Sequence, residues 1–181
     1  PSLDEYCQRL KRLESALSSS EEKLSGSSSA IVKLGDSGSK QLSFAQERLW
    51  FLDQLEPGNP FYNISVALCL TGSLDRAALQ SSLNFMIERH EVVRTSFSVA
   101  SNNNDYDDSG VPQQNIHPAF PCSMELDVLT EMGKQQQQEM SDIAIKDEAR
   151  KPFDLAKLPL LRTRLLQLSD DKHTLIVTMH H

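Results

Sequence analysis

The clearest pattern of apolar and polar residues lies at the end of the chain. Residues 160–168 and 173–179 are two apolar runs, and the polar residues 169–172 separate them. Apolar runs of this length between polar residues are typical of buried strands, and a short polar connection favours a hairpin. The pattern therefore predicts a β-hairpin whose second arm delivers two adjacent histidines, His180 and His181, to the end of the chain.

Before this hairpin, the spacing of apolar residues changes repeatedly between the periods of helices and of strands. It predicts helices at 44–55, 74–90 and 131–150, and strands at 63–71, 92–98 and 123–129. Ser43 and Gln46 have the spacing of a capping box, which indicates where the first helix begins. Residues 49–52 of that helix are all apolar, which favours burial between layers. Residues 100–116 predict an exposed loop, and the glutamines at 135–138 predict a solvated helix face.

The first 40 residues have a different character. Leu3, Tyr6, Leu10, Leu13, Leu17 and Leu24 fall mostly at spacings of three and four. This heptad pattern predicts an amphipathic helix over 1–24, which either links to the next domain by packing on it or docks onto a partner chain. Serine and glycine then dominate residues 25–40 and predict a flexible linker. We expect the folded unit to occupy residues 41–181.

Composition and charge narrow the classes of function. The 181 residues include 25 acidic and 18 basic ones, giving a net charge of −7, and the basic residues form no stripe, which argues against nucleic-acid binding. The sequence has neither a membrane-spanning apolar run nor a signal segment, so we expect a cytoplasmic protein. Cys7, Cys69 and Cys122 show no CxxC pairing and are predicted to be free thiols. A start at Pro1 and a stop directly after a strand indicate a piece of a longer protein.

The two terminal histidines are the strongest candidates for chemistry. Imidazole is the side chain whose ordinary pKa lies nearest neutrality, so a histidine at a strand end suits proton transfer. Side chains alternate between the two faces of a strand, so His180 and His181 cannot both face one cavity if pairing continues to the end. One is expected to face a site and the other to pack. A structural histidine pair or a cloning remnant is the alternative.

Three stretches together carry a resemblance to a known family. Residues 43–52, Ser-Phe-Ala-Gln-Glu-Arg-Leu-Trp-Phe-Leu, resemble the first core motif of condensation domains of non-ribosomal peptide synthetases. Residues 89–97 resemble the second motif, with Val93 where leucine is usual. Residues 179–181 resemble the beginning of the third, a double histidine followed after three residues by Asp-Gly. Residues 152–162 are similar to the segment that leads into the catalytic hairpin of this family.

The resemblance implies a fold, an activity and partners. The fold class would be α/β (α+β), as the N-terminal lobe of a two-lobed fold similar to chloramphenicol acetyltransferase, preceded by the helical linker. The activity would be amide bond formation between an acyl or peptidyl donor and an aminoacyl acceptor. Upstream and downstream peptidyl carrier proteins would present both substrates as thioesters on phosphopantetheine, next to an adenylation domain. No cofactor or metal would be bound directly.

The motifs also imply roles for individual residues. His181 would be catalytic, either as a general base or by holding the amine and stabilising the tetrahedral intermediate. His180 would support the site structurally. Arg89 and Arg94 would either contact substrate or, as we favour, form salt bridges that hold the site together. Arg48 would also be structural.

Two other functions fit the same sequence. An epimerisation domain shares the double-histidine motif, although the aromatic-rich first motif looks more like a peptide-forming domain. An interaction module is a second alternative, in which residues 1–24 dock onto another synthetase polypeptide and the remainder is a platform. Under the favoured interpretation, the 181-residue chain alone would be inactive, because a tunnel between two lobes needs both.

Overall fold

The structure, a computed structural model, describes residues 40–99 and 111–181. The helices are α1 (Phe44–Leu55), α2 (Arg76–Arg89) and α3 (Lys134–Arg150), and the strands are β1 (Lys40–Gln41), β2 (Asn63–Thr71), β3 (Thr95–Val99), β4 (Pro112–Ile116), β5 (Met124–Val128), β6 (Leu161–Ser169) and β7 (Lys172–His180). Short 3₁₀ helices cover Pro60–Tyr62 and Glu91–Arg94. The helix predicted at 1–24, Cys7 and the linker up to residue 39 lie outside the described residues.

The larger sheet has four strands in the order β2-β7-β6-β5. The predicted hairpin is confirmed, since β6 and β7 pair antiparallel with Leu165 opposite Leu175. β2 pairs antiparallel with β7 over its whole length, from Asn63 opposite His180 to Thr71 opposite Lys172. β5 runs parallel to β6. The end of β7 therefore lies between the start of β2 and the start of β6.

The smaller sheet has the order β1-β4-β3 and corrects two predictions. The loop predicted at 100–116 is wrong for residues 112–116, because β4 pairs antiparallel with β3 there; residues 100–110 lie outside the described part of the chain. The strand predicted at 92–98 begins only at Thr95, after the 3₁₀ helix Glu91–Arg94. β4 is mostly polar, so its sequence lacks the alternation of apolar and polar residues that predicts a strand. Its pairing with β3 rests on backbone hydrogen bonds.

The core lies on both faces of the larger sheet. On one face, Leu166 and Ile176 of the hairpin pack with Ala144 of α3. On the other face, Leu161 packs with Ile87 of α2 and with Cys122. Cys122 is buried and Cys69 is exposed, and both are free thiols, as predicted.

Gln137 corrects the expectation of a purely solvated glutamine run. Its side-chain Nε2 donates hydrogen bonds to the carbonyl oxygens of Leu129, at 2.9 Å, and Leu168, at 2.8 Å. A buried carbonyl needs such a partner, so this glutamine connects α3 to the ends of two strands. α3 begins at Lys134, three residues later than its apolar spacing indicated.

The first helix is confirmed in position but not in burial. α1 begins after Ser43, whose hydroxyl accepts from the Gln46 N–H at 3.3 Å, while the Gln46 side chain accepts from the Ser43 N–H at 2.8 Å. The predicted capping box is therefore present. The expectation of a helix buried between layers is wrong here, because α1 has no buried residue and Phe44 is 74% exposed. Residues 49–52, the apolar part of this helix, are only partly buried among the described residues.

Replacement of Ser43 by alanine is expected to lower the free energy of unfolding by about 1 kcal/mol, because it removes the hydroxyl that accepts the Gln46 N–H. Urea unfolding followed by circular dichroism measures this. Ser73→Ala, at an exposed serine outside the helices, is the control. Equal stability of the two variants would contradict the assigned cap.

Candidate active site

The backbone of the histidine pair is fixed from two sides. The His180 N–H donates to the carbonyl oxygen of Leu160 at 3.3 Å, just before β6. The His181 N–H donates to the carbonyl oxygen of Tyr62 at 2.9 Å, just before β2. Successive backbone N–H groups thus point to opposite neighbours, as in a strand. The strand β7 itself ends at His180, but the hydrogen bond to Tyr62 extends the strand-like geometry to His181.

The two histidine side chains lie in different surroundings. His180 is half-buried, with its ring centroid 6.3 Å from that of Tyr62 and 6.4 Å from that of Phe153. Phe153 meets the imidazole edge-on, at an interplanar angle of 86°. His181, by contrast, is exposed. This is the arrangement in which His180 packs and His181 remains accessible.

The electrostatic environment favours a neutral His180. Burial lowers the pKa of His180 below its ordinary value, while the hydrogen bond of Nδ1 to the His181 carbonyl oxygen, at 3.2 Å, and the Asp53 carboxylate both act to raise it. The larger effect is the burial of the ring. An uncharged imidazole is therefore the dominant form of His180 at neutral pH.

Behind Phe153 lies a charged cluster. The guanidinium carbon of Arg162 sits 3.8 Å from the centroid of the Phe153 ring. Arg162 Nε donates to Glu148 at 3.0 Å, and another guanidinium nitrogen donates to the Lys151 carbonyl oxygen at 2.7 Å. The Asn63 side chain donates to the same carbonyl at 2.9 Å. The end of α3 is thereby joined to the starts of β2 and β6, next to the histidines.

Asp53, on α1, lies near enough to His180 for each group to act on the pKa of the other. Burial raises the pKa of Asp53, the nearby His180 acts to lower it, and Asp154 acts to raise it. The carboxylate lines a pocket of about 270 Å³, together with Leu52, Leu55, Glu56, Asn59, Phe61 and Tyr62. The pocket therefore extends from the last turns of α1 to the aromatic ring that packs against His180.

The three arginines to which the motifs assign supporting roles have different surroundings. Arg94 is half-buried; its guanidinium donates to the His117 carbonyl oxygen and lies 3.6 Å from the Glu91 carboxylate. Arg89 and Arg48 are exposed, and neither forms an ion pair within residues 40–99 and 111–181. The supporting roles of these three arginines stay predictions.

Sequence reasoning missed several residues that build the site. They are Asp53, Tyr62, Glu148, Phe153 and Arg162. Phe153 and Arg162 do lie in the 152–162 stretch that resembles the family, so that resemblance was a usable signal. Asp53 and Tyr62 are more than a hundred residues from His180 along the chain, and no local pattern connects them.

The described part of the chain has no group of three or more His, Cys, Asp or Glu residues placed to hold a metal ion. In the same part of the chain, no helix has the length and apolar character required to span a bilayer.

Comparison with known proteins identifies the family. The family model for the Condensation domain matches residues 37–181. The chain is 40% identical over 147 residues to the phosphinothricin tripeptide synthetase PhsC of Streptomyces viridochromogenes, covering 81% of this chain and 13% of PhsC. It is 39% identical over 152 residues to the nonribosomal peptide synthetase kk1B of Curvularia clavata, covering 84% of this chain and 1% of that synthetase.

Solved structures agree with this match. The starter condensation domain of rhizomide synthetase RzmA superposes with a TM-score of 0.68 at 25% identity, over 80% of this chain and 33% of that one. The first condensation domain of the calcium-dependent antibiotic synthetase shares the fold with a TM-score of 0.67. The chain belongs to the condensation domain family of non-ribosomal peptide synthetases. The predicted α/β class, within the fold similar to chloramphenicol acetyltransferase, is confirmed. The chain spans about a third of the length of the solved RzmA domain.

Proposed function

We propose that this chain supplies the histidine-bearing lobe of a domain that forms amide bonds in non-ribosomal peptide synthesis. The observation that carries this is the end of β7, where His181 is exposed while its backbone is held by the Tyr62 carbonyl at 2.9 Å. The relatives named above are peptide synthetases, which supports the same conclusion. The donor is an acyl or peptidyl thioester, and the acceptor is an aminoacyl thioester.

The chemistry requires one proton to be moved. The acceptor amine attacks the donor carbonyl, a C–N bond forms, and the C–S bond to the donor carrier breaks. The nitrogen loses a proton and the departing thiolate gains one, so the reaction needs no oxidant or reductant. His181 either takes the proton from nitrogen or holds the amine and the tetrahedral intermediate in place. His180 packs against Tyr62 and Phe153 and keeps this backbone in position.

The substrates would reach this site on other domains. Upstream and downstream carrier proteins present them on phosphopantetheine, and an adenylation domain loads the acceptor, so the lobe itself needs no bound cofactor. Residues 41–181 are proposed as the lobe. Residues 1–24 are proposed as a linker or docking helix, joined to the lobe through the Ser/Gly-rich residues 25–40.

The test is a reconstitution with the complete domain. A chain extended to the full length of the solved condensation domains is mixed with a donor-loaded and an acceptor-loaded carrier protein, and the acceptor carrier is analysed by mass spectrometry. A mass increase equal to the donor acyl group is the expected result. Exchange of the Cα proton for deuterium without a mass transfer would instead indicate epimerisation. If neither acyl transfer nor deuterium exchange occurs, the interpretation that remains is a docking module.

The 181-residue chain alone is expected to give no transfer in the same assay. His181 is exposed, and so are the apolar side chains of Ile64, Val66 and Leu68 on the edge strand β2, so the described residues form an open surface. Catalysis of this kind depends on holding both substrates and excluding water. The extended chain, purified in parallel, is the positive control. Product formed by the 181-residue chain at a comparable rate would refute this expectation.

A further inference from the structure

The peptide unit between Tyr62 and Asn63 holds the backbone of His181. Its carbonyl oxygen, on Tyr62, accepts the His181 N–H at 2.9 Å. Its N–H, on Asn63, donates to the carbonyl oxygen of Pro60. A peptide unit is planar and rigid, so the position of this carbonyl depends on the position of the Asn63 Cα atom. A contact that fixes Asn63 therefore also fixes the acceptor that holds His181.

The Asn63 side chain is attached to the end of α3. Its amide nitrogen, Nδ2, donates to the carbonyl oxygens of Ala149 and Lys151, both at 2.9 Å. The last carbonyl groups of a helix have no partner within the helix, so a side chain placed here supplies donors that they need. Asn63 Oδ1 is buried and has no hydrogen-bond partner among residues 40–99 and 111–181. Within this part of the chain, the amide acts through its N–H groups alone.

A second strand reaches the same helix end from the other side of β7. Arg162 of β6 donates to the Lys151 carbonyl oxygen at 2.7 Å. The strands β2 and β6 flank β7, and Asn63 lies opposite His180 in the register of β2 with β7. Directly opposed side chains of an antiparallel pair lie on the same face of the sheet, so the Asn63 amide and the His180 ring share a face. The end of β7 is therefore held between two strands that are both attached to α3.

We propose that Asn63 is a positioning residue for His181: its hydrogen bonds to the end of α3 fix the start of β2, and with it the Tyr62 carbonyl that holds the His181 backbone. The proposal deepens the function proposed above and rests on it for its consequence in turnover. Asn63 is not a catalytic residue, because it acts through this backbone and not on the reacting atoms.

Gln137 provides a matched control, because it makes the same kind of connection at the other end of α3. Its Nε2 donates to the carbonyl oxygens of Leu129 and Leu168, which lie at the ends of two strands far from His181 along the sheet. Asn63→Leu and Gln137→Met each replace an amide by an uncharged side chain of similar shape, and each removes the donors to two carbonyl oxygens. Urea unfolding should therefore show a comparable loss of stability in both variants.

Exchange of the His181 amide hydrogen reports on this backbone without reference to turnover. In the extended chain labelled with ¹⁵N-histidine, Asn63→Leu is expected to speed the exchange about tenfold under native conditions, because the acceptor of this N–H is no longer fixed. Gln137→Met should exchange at the wild-type rate. His181→Ala lacks one histidine amide signal and thereby assigns the resonance in the NMR spectrum.

In the reconstitution with loaded carrier proteins, Asn63→Leu should lower kcat about tenfold with little change in KM, because misplacement of a catalytic group slows the step more than it weakens binding. Gln137→Met should keep the wild-type kcat, although it is equally destabilised. Asn63→Ser is smaller and keeps a hydroxyl donor, so it should show both effects in a milder form. This variant carries the test if Asn63→Leu does not fold.

Wild-type exchange of the His181 amide in the Asn63 variants, or an equal change in Gln137→Met, would overturn the proposal. So would a wild-type kcat in the Asn63 variants when His181→Ala is slow. If His181→Ala proved fully active, the proposed function would fail, whereas the amide exchange would still decide whether Asn63 holds this backbone.

Discussion

Replacement of His181 by alanine in the complete synthetase is expected to slow amide bond formation by about 10²- to 10⁴-fold. Under the proposed function the exposed imidazole of His181 acts on the acceptor amine, while the backbone of this residue is held by the Tyr62 carbonyl. Alanine keeps that backbone hydrogen bond and removes only the ring. The measurement is the single-turnover rate of transfer from a donor-loaded to an acceptor-loaded carrier protein.

The same preparation contains the control for this prediction. Adenylation and loading of the carrier proteins should proceed at the wild-type rate in His181→Ala, because the proposed function assigns these steps to other domains. The thermal stability should also be unchanged, since the exposed His181 side chain is not part of the core. A wild-type transfer rate would remove His181 from the mechanism.

The size of the loss in two variants separates the two roles of His181. If the imidazole is a general base, His181→Gln, whose amide cannot take a proton from the amine, should lose as much rate as His181→Ala. If the imidazole holds the amine and the intermediate, His181→Gln should keep part of the wild-type rate, because the amide can still form hydrogen bonds.

Arg162→Ala is expected to lower the free energy of unfolding by about 3–5 kcal/mol, which is a large part of the stability of a domain of this size. The Glu148 side chain is only 8% exposed and lies 3.0 Å from Arg162 Nε. Without the guanidinium, a buried carboxylate loses its partner, and the Phe153 ring loses the cation that packs 3.8 Å from its centroid. Urea unfolding followed by far-ultraviolet circular dichroism measures the change.

Lys157→Ala is the matched control for Arg162→Ala. Lys157 also pairs with an acidic residue, Asp154, at 2.7 Å, but both side chains are largely exposed. Solvent screens such a pair, so the variant should unfold at nearly the same urea concentration as the wild type. A double variant that replaces Arg162 by Met and Glu148 by Leu should recover much of the loss, because it leaves no unpaired charge. Equal effects of the Arg162 and Lys157 variants would contradict the role assigned to the buried pair.

Local patterns in the sequence were sufficient for the elements whose stabilising contacts are close along the chain. The capping box of α1 joins Ser43 and Gln46 within one turn, and the hairpin of β6 and β7 follows from two apolar runs and a short polar turn. The three motifs were sufficient for the family and the fold class, because their order extends over most of the chain. These predictions required no knowledge of which distant segments meet.

Contacts between distant segments decided the rest. The polar strand β4 forms because β3 offers backbone partners, and Gln137 turns inward because two strand ends leave carbonyl groups to be paired. The burial expected for α1 fails because burial depends on what covers a helix, which its own apolar residues do not determine.

For the histidines too, local sequence determined some features and contacts between distant segments determined the others. The adjacency of His180 and His181, and the alternation that separates their side chains, were readable from the end of the chain alone. The packing of His180 between Tyr62 and Phe153, and the approach of Asp53, were decided only when β2, the end of α3 and α1 came together around β7. Local spacing specifies backbone conformation, whereas the environment of a side chain is set by long-range packing, which only the tertiary structure contains.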